Sequence, residues 1–155
     1  HVTGVQTCAL PISVNQPLDS LKAELEAFGA AIDSANRDRP KRMLNITRDT
    51  GEFLSVLIRA TAARRILEIG TSNGYSTLWL AEAAQATGGK VTTVEQSEYK
   101  MSLAAVNFAR SGLAGCLVQV RGDAGQHLAS LEAGTCDFIF LDSERSEYAG
   151  WWPAA

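Results

Sequence analysis

Between Pro17 and Ile32, apolar residues recur at spacings of three and four: Leu18, Leu21, Leu25, Phe28 and Ile32. That period predicts an amphipathic helix with Asp19 or Ser20 near its start. The following stretch, Ser34 to Thr50, is polar and closed to helix around Pro40, so it reads as a connection crossing the surface. Asp49 or Thr50 can then cap a second helix, with Phe53, Leu54, Leu57 and Ile58 as its buried stripe. From Arg64 the pattern changes. Short β-rich runs RRILEIG, KVTTVE, CLVQVRG and CDFIFLD alternate with helical stretches opening at Tyr75, Glu98 and Ala124. Successive βα units of this kind predict an α/β fold, a doubly wound parallel sheet with helices on both faces and extra helices at its N-terminal side. Ile66 to Ile69 and Phe138 to Leu141 are continuously apolar, as central strands buried on both sides would be.

Composition narrows the picture without changing it. The chain has 155 residues, 46% hydrophobic and 20% charged, the mixture of one ordinary globular domain. A net charge of -3 provides no broad basic surface, so nucleic acid is not the expected partner and a small molecule is. No apolar run is long enough to span a bilayer. Cys8, Cys116 and Cys136 are odd in number and lack metal-like spacing, which favours a reduced, cytoplasmic setting; Cys116 and Cys136 read as small buried hydrophobes. The chain begins with His1, and residues 1–13 resemble the in-frame translation of a sequencing-adapter oligonucleotide, with Ser13 as the junction. They are set aside as an expected artefact. The opposite end, YAGWWPAA, stops just after an aromatic-rich segment, so the sheet is expected to be cut after its fourth strand.

In open parallel sheets the ligand lies beyond the carboxyl ends of the strands, where strand order reverses. Polar residues fall at each such end. Glu68 and Gly70 close the first strand, and Gly70 and Gly74 bracket the loop that follows. Glycine there either admits a ligand close to the backbone or makes a tight turn with no ligand at all. The spacing is not G-x-G-x-x-G, and a carboxylate at Glu68 would repel a pyrophosphate while suiting a ligand that carries a cation. Glu95 ends the second strand, where it can accept two ribose hydroxyls or simply sit in solvent. Asp123 could meet an adenine amino group or cap the next helix. Asp142 is delivered by a buried strand, an expensive place for a carboxylate unless it is paired, hydrogen-bonded or bound to metal. His127 reads as a helix-surface residue, and Trp151 and Trp152 as core or interface aromatics.

RRILEIGTSNGYSTLWLAEA, VTTVE, GDA and CDFIFLDSERSEY, taken in that order, resemble the class I S-adenosylmethionine-dependent methyltransferases. More narrowly they resemble O-methyltransferase family 3, the relatives of catechol and caffeoyl-CoA O-methyltransferases. The resemblance implies a Rossmann-like fold and places residues 14–155 in the N-terminal part of a single methyltransferase domain, with helices in 18–62 and βα repeats in 64–152. It further implies that Glu68, Gly70 and Thr71 hold the methionine moiety, with Ser76 near its carboxylate and Gly74 in the same cofactor-binding loop. Glu95 would take the ribose and Ala124 would touch the adenine through its backbone, with Asp123 beside it in the cofactor site, and Ile46 would touch the cofactor from the preceding loop. Asp142 would bind a divalent metal, usually Mg²⁺, beside the transferring methyl, and Tyr148 is the aromatic that follows the metal motif. The acceptor would be a small hydroxylated molecule; a homodimer is one assembly open to the protein, which the sequence does not decide. Where the family commonly has a lysine as base, this chain has Arg145, which cannot take up a proton at ordinary pH. The family's later metal ligands would fall beyond Ala155, so the chain by itself is expected to be inactive. Two rival readings are an NAD-dependent oxidoreductase and a non-catalytic nucleoside-binding module.

Overall fold

A computed structural model describes residues 16–151. In chain order it contains α1 (Gln16–Ala35), α2 (Arg48–Thr61), β1 (Arg65–Ile69), α3 (Tyr75–Thr87), β2 (Lys90–Glu95), α4 (Glu98–Ser111), β3 (Leu117–Arg121), α5 (Ala124–Ala129), β4 (Phe138–Leu141) and α6 (Tyr148–Trp151). Residues 1–13, Cys8 and Trp152, about which the sequence raised expectations, lie outside the described residues. The four strands pair in parallel in the order β3-β2-β1-β4. Chain direction across the sheet reverses between β1 and β4, which is the switch point where a doubly wound sheet opens a crevice. One face is covered by α1 to α4 around Ile58, Leu78, Leu80, Val91 and Phe108. The other carries a smaller core of Leu67, Ile69, Val94 and Leu128, with Trp151 packed against it. The doubly wound α/β architecture is therefore present.

Helix α1 begins by Gln16 with Asp19 in its first turn, as expected. Several details differ from the sequence reading. Thr47, not Asp49 or Thr50, caps α2, its hydroxyl accepting the Thr50 N–H at 3.3 Å. The buried face of α2 is Gly51, Leu54, Ser55 and Ile58, while Phe53 is 59% exposed. The reason is close approach: a side chain on Gly51 would strike the Trp79 indole at 2.5 Å, so the small residues of α2 turn toward α3. β1 is buried from Ile66 to Ile69, but β4 is half-exposed throughout, because among the described residues it is a sheet edge. Cys116 and Cys136 are half-exposed rather than buried.

Candidate active site

The loop after β1 is organised by Glu68. Its side chain is fully buried, and both carboxylate oxygens are engaged. Oε1 accepts the Ser76 hydroxyl at 2.6 Å; Oε2 accepts those of Thr77 at 2.5 Å and Thr93 at 2.6 Å. Thr71 joins the cluster through its hydroxyl, 2.6 Å from that of Thr93. Burial pushes the Glu68 carboxyl up to about 7 although all three hydroxyls favour the anion, and the charge of Asp142 raises it further. Expected to aim a carboxylate at a ligand, Glu68 here borders neither of the two clefts beyond the strand ends, and its oxygens tie β1, β2 and α3 together. Ser76 and Thr71, expected beside the methionine moiety, have their hydroxyls in this same cluster.

The two glycines also answer to the protein. Gly70 has φ 103° and Gly74 φ 87°. A Cβ on Gly70 would land on the carbonyl oxygen of Asp142, and one on Gly74 would meet the Phe108 ring at 2.6 Å. Close packing against β4 and α4 is thus enough to require glycine at both places.

Beyond the strand ends lie two adjoining clefts. The smaller, of about 100 Å³, is bordered by Gly70, Val94, Gly122, Asp123 and Ala124. The larger, of about 520 Å³, is bordered by Leu44, Lys100, Asp142 and Arg145. Glu95 and Ser143 border both. The Glu95 carboxylate is fixed by two backbone donors, Ser72 N–H to Oε2 at 3.0 Å and Ser97 N–H to Oε1 at 2.9 Å. Each oxygen retains a lone pair for a further donor, an arrangement suited to vicinal hydroxyls. Asp123 caps α5 by accepting the Gln126 N–H at 2.9 Å and still lines the smaller cleft, so the two roles proposed for it are compatible.

Asp142 sits at the switch point. Burial raises its carboxyl, and the positive charge of Arg145 opposes that rise. The loop carrying it is tied back by Tyr148, whose hydroxyl accepts the Ser143 N–H at 2.8 Å and donates to the Leu141 carbonyl at 3.0 Å. Among the described residues no group of three His, Cys, Asp or Glu is placed to hold a metal ion, so the expected metal role of Asp142 has no partner ligands here. Ile46 packs against the main core and borders neither cleft. The sequence reading missed Ser72, Thr77, Thr93 and Leu44. A buried carboxylate demands donors, and the hydroxyls one helical turn and one strand away were the available signal; nothing in the sequence marked Ser72 or Leu44.

A family model described as O-methyltransferase matches residues 22–154. The chain belongs to this family. It is 35% identical over 145 residues to a catechol O-methyltransferase of Mycobacterium tuberculosis, covering 91% of this chain and 65% of that protein. A catechol O-methyltransferase of Niastella koreensis is 34% identical over 141 residues, 86% of this chain and 62% of the relative. An O-methyltransferase from Bacillus cereus, solved in complex with SAH, superposes with a TM-score of 0.72 at 33% identity, over 92% of this chain and 62% of that one. The chain thus spans a little under two thirds of the length of these O-methyltransferases.

Proposed function

We propose that the protein is an S-adenosylmethionine-dependent O-methyltransferase acting on a hydroxyl of a small molecule. The observation that carries this reading is Glu95, a carboxylate fixed by two backbone N–H groups at the junction of two clefts, facing the switch point where Asp142 lies. The charged residues of the smaller cleft, Glu95, Asp123 and Glu147, are all acidic, which suits a diol and disfavours a pyrophosphate there and so argues against the NAD reading, whereas the larger cleft also carries Arg39, Lys100 and Arg145. The catechol O-methyltransferases among its relatives favour an aromatic diol as the acceptor.

S-adenosylmethionine, when bound, supplies a methyl on a sulfonium that leaves as a neutral thioether, so little covalent chemistry falls to the protein. Glu95 would accept the ribose hydroxyls, while Gly122, Asp123 and Ala124 wall the small cleft for the base. Asp142 would face the cationic part of the cofactor, and the larger cleft would hold the acceptor so that its oxygen lies in line with the methyl. Glu68 would act from beneath, holding the loop through Ser76, Thr77 and Thr93. Arg145 borders the acceptor cleft as a fixed cation that favours an oxyanion but cannot remove its proton. The metal dependence implied by the resemblance rests on Asp142 alone, one carboxylate where a hard cation takes about six oxygen ligands, and no step is assigned to it. The half-exposed, free Cys116 and Cys136 support a reducing, cytoplasmic setting.

Calorimetry tests the cofactor. S-adenosylhomocysteine is expected to bind the full chain and NADH not to. Glu95→Ala should weaken the former by about tenfold or more, since hydrogen bonds to a charged group contribute about 1.5–3 kcal/mol. Binding of NADH without S-adenosylhomocysteine would reverse the assignment.

A further inference from the structure

The connection between α1 and α2 is gripped from an unfavourable place. Asp33 lies in the last turn of α1, where the carbonyl end of a helix disfavours a carboxylate. Both of its oxygens reach across the chain: Oδ1 accepts the Met43 N–H at 2.6 Å and Oδ2 the Leu44 N–H at 3.0 Å. Leu44 has φ 52°, a left-handed conformation that a leucine adopts only when its surroundings impose it. Two charge-assisted bonds to consecutive amides are such an imposition. Asn45 adds a third tie, donating to the Leu25 carbonyl at 2.9 Å in space kept open by Gly29.

What this grip holds is the site. Leu44 borders the larger cleft with Glu95 and Asp142. The carbonyl of Met43 accepts the Ser72 hydroxyl at 2.7 Å. Ser72, itself at φ 49°, donates its N–H to Glu95. A continuous polar path therefore runs from Asp33 through Met43 and Ser72 to the carboxylate at the junction of the clefts, although Asp33 borders neither cleft.

We propose that Asp33 is a positioning residue of this cleft: by gripping the amides of Met43 and Leu44 it sets the Leu44 wall and, through Ser72, the orientation of Glu95. The inference rests on the cofactor reading of Glu95, but it makes a structural demand of its own that needs no ligand.

The test uses the full chain and Asp33→Asn, which keeps the side chain's size but turns an N–H₂ toward one of the two amides. Without ligand, amide exchange at Met43, Leu44 and Ser72 should accelerate, while the core amides of Leu78 and Leu80 in α3 keep their protection. With S-adenosylhomocysteine as probe, affinity should fall about tenfold. Asp38→Asn, which removes an exposed ion pair with Lys41 in the same connection, should change neither reading. If Asp33→Asn does not fold, Ser72→Ala cuts the same path without touching α1 and should lower affinity to a similar degree. Unchanged exchange at Ser72 in Asp33→Asn, or unchanged affinity in a folded variant, would overturn the proposal. Failure of the unaltered chain to bind the probe would instead remove the cofactor reading, leaving exchange at Ser72 to decide whether Asp33 positions the loop.

Discussion

Glu68 is a carboxylate in the protein's interior, and the hydroxyls of Ser76, Thr77 and Thr93 are what make it tolerable there. They do not cancel the cost of burial, since its carboxyl is pushed from 4.5 up to about 7. The folded chain therefore holds this proton more tightly than the unfolded chain does. Its favourable contribution is complete below about pH 4.5 and is lost as the pH rises through about 7. A shift of this size corresponds to a few kcal/mol, on the order of 3. Asp142, also raised by burial, acts in the same direction. Asp137, held far below the usual carboxylate range by Arg65, acts in the opposite one, with a loss confined to acid below the ordinary aspartate range. Stability measured by urea unfolding is thus expected to fall between about pH 4.5 and pH 7, and Glu68→Gln to flatten most of that slope, because hydroxyls can rotate to accept from an amide. Equal slopes in the two proteins would mean that Glu68 stays ionised throughout.

At the scale of elements, the junction of β1 with α3 shows how neighbours dictate a turn. Both glycines there have positive φ, but the obstacles they avoid differ. A methyl group at Gly70 meets the backbone of Asp142, which β4 holds in the sheet; one at Gly74 meets the edge of the Phe108 ring, a side chain that can move. Gly70→Ala is accordingly expected to lose about 3 kcal/mol or more and to displace Asp142 from the switch point, while Gly74→Ala loses about 1–3 kcal/mol. Thermal unfolding of the two variants checks the ranking, and a Gly70→Ala protein no less stable than Gly74→Ala would contradict it. The α2 helix makes the complementary point: Gly51 and Ser55 face inward beside Leu54 and Ile58 while Phe53 stays outside, because Trp79 of α3 needs the room at Gly51.

Across the whole molecule, the sheet has one well-covered face and two open edges among the described residues. The core under α1 to α4 is extensive, whereas that under α5 and α6 has four fully buried members. β4 is half-exposed along its length, and Val118 in β3 is 45% exposed. Unpaired strand edges of this kind recruit further strands. Light scattering on the chain should show an apparent mass that grows with concentration up to about 100 µM, and a single-chain mass over that range would show that the edges are already protected.

The strands, their parallel order of appearance and the acidic strand ends follow from sequence alone, since apolar runs of four or five residues between helical stretches have few other solutions. Glu95 and Asp142 were legible for a related reason: one closes a β-branched run, Val91 to Val94, and the other directly follows the apolar run Phe138 to Leu141, and a parallel sheet presents such ends to one crevice. What sequence could not supply was direction within the interior. The turning of Glu68 onto three hydroxyls, the rotation of α2 about Gly51 and the strained backbone of Leu44 and Ser72 all depend on residues 8 or more positions away in the chain that folding brings within a few ångströms. Periodicity reports which residues leave water, but only the packed structure decides what each one then touches.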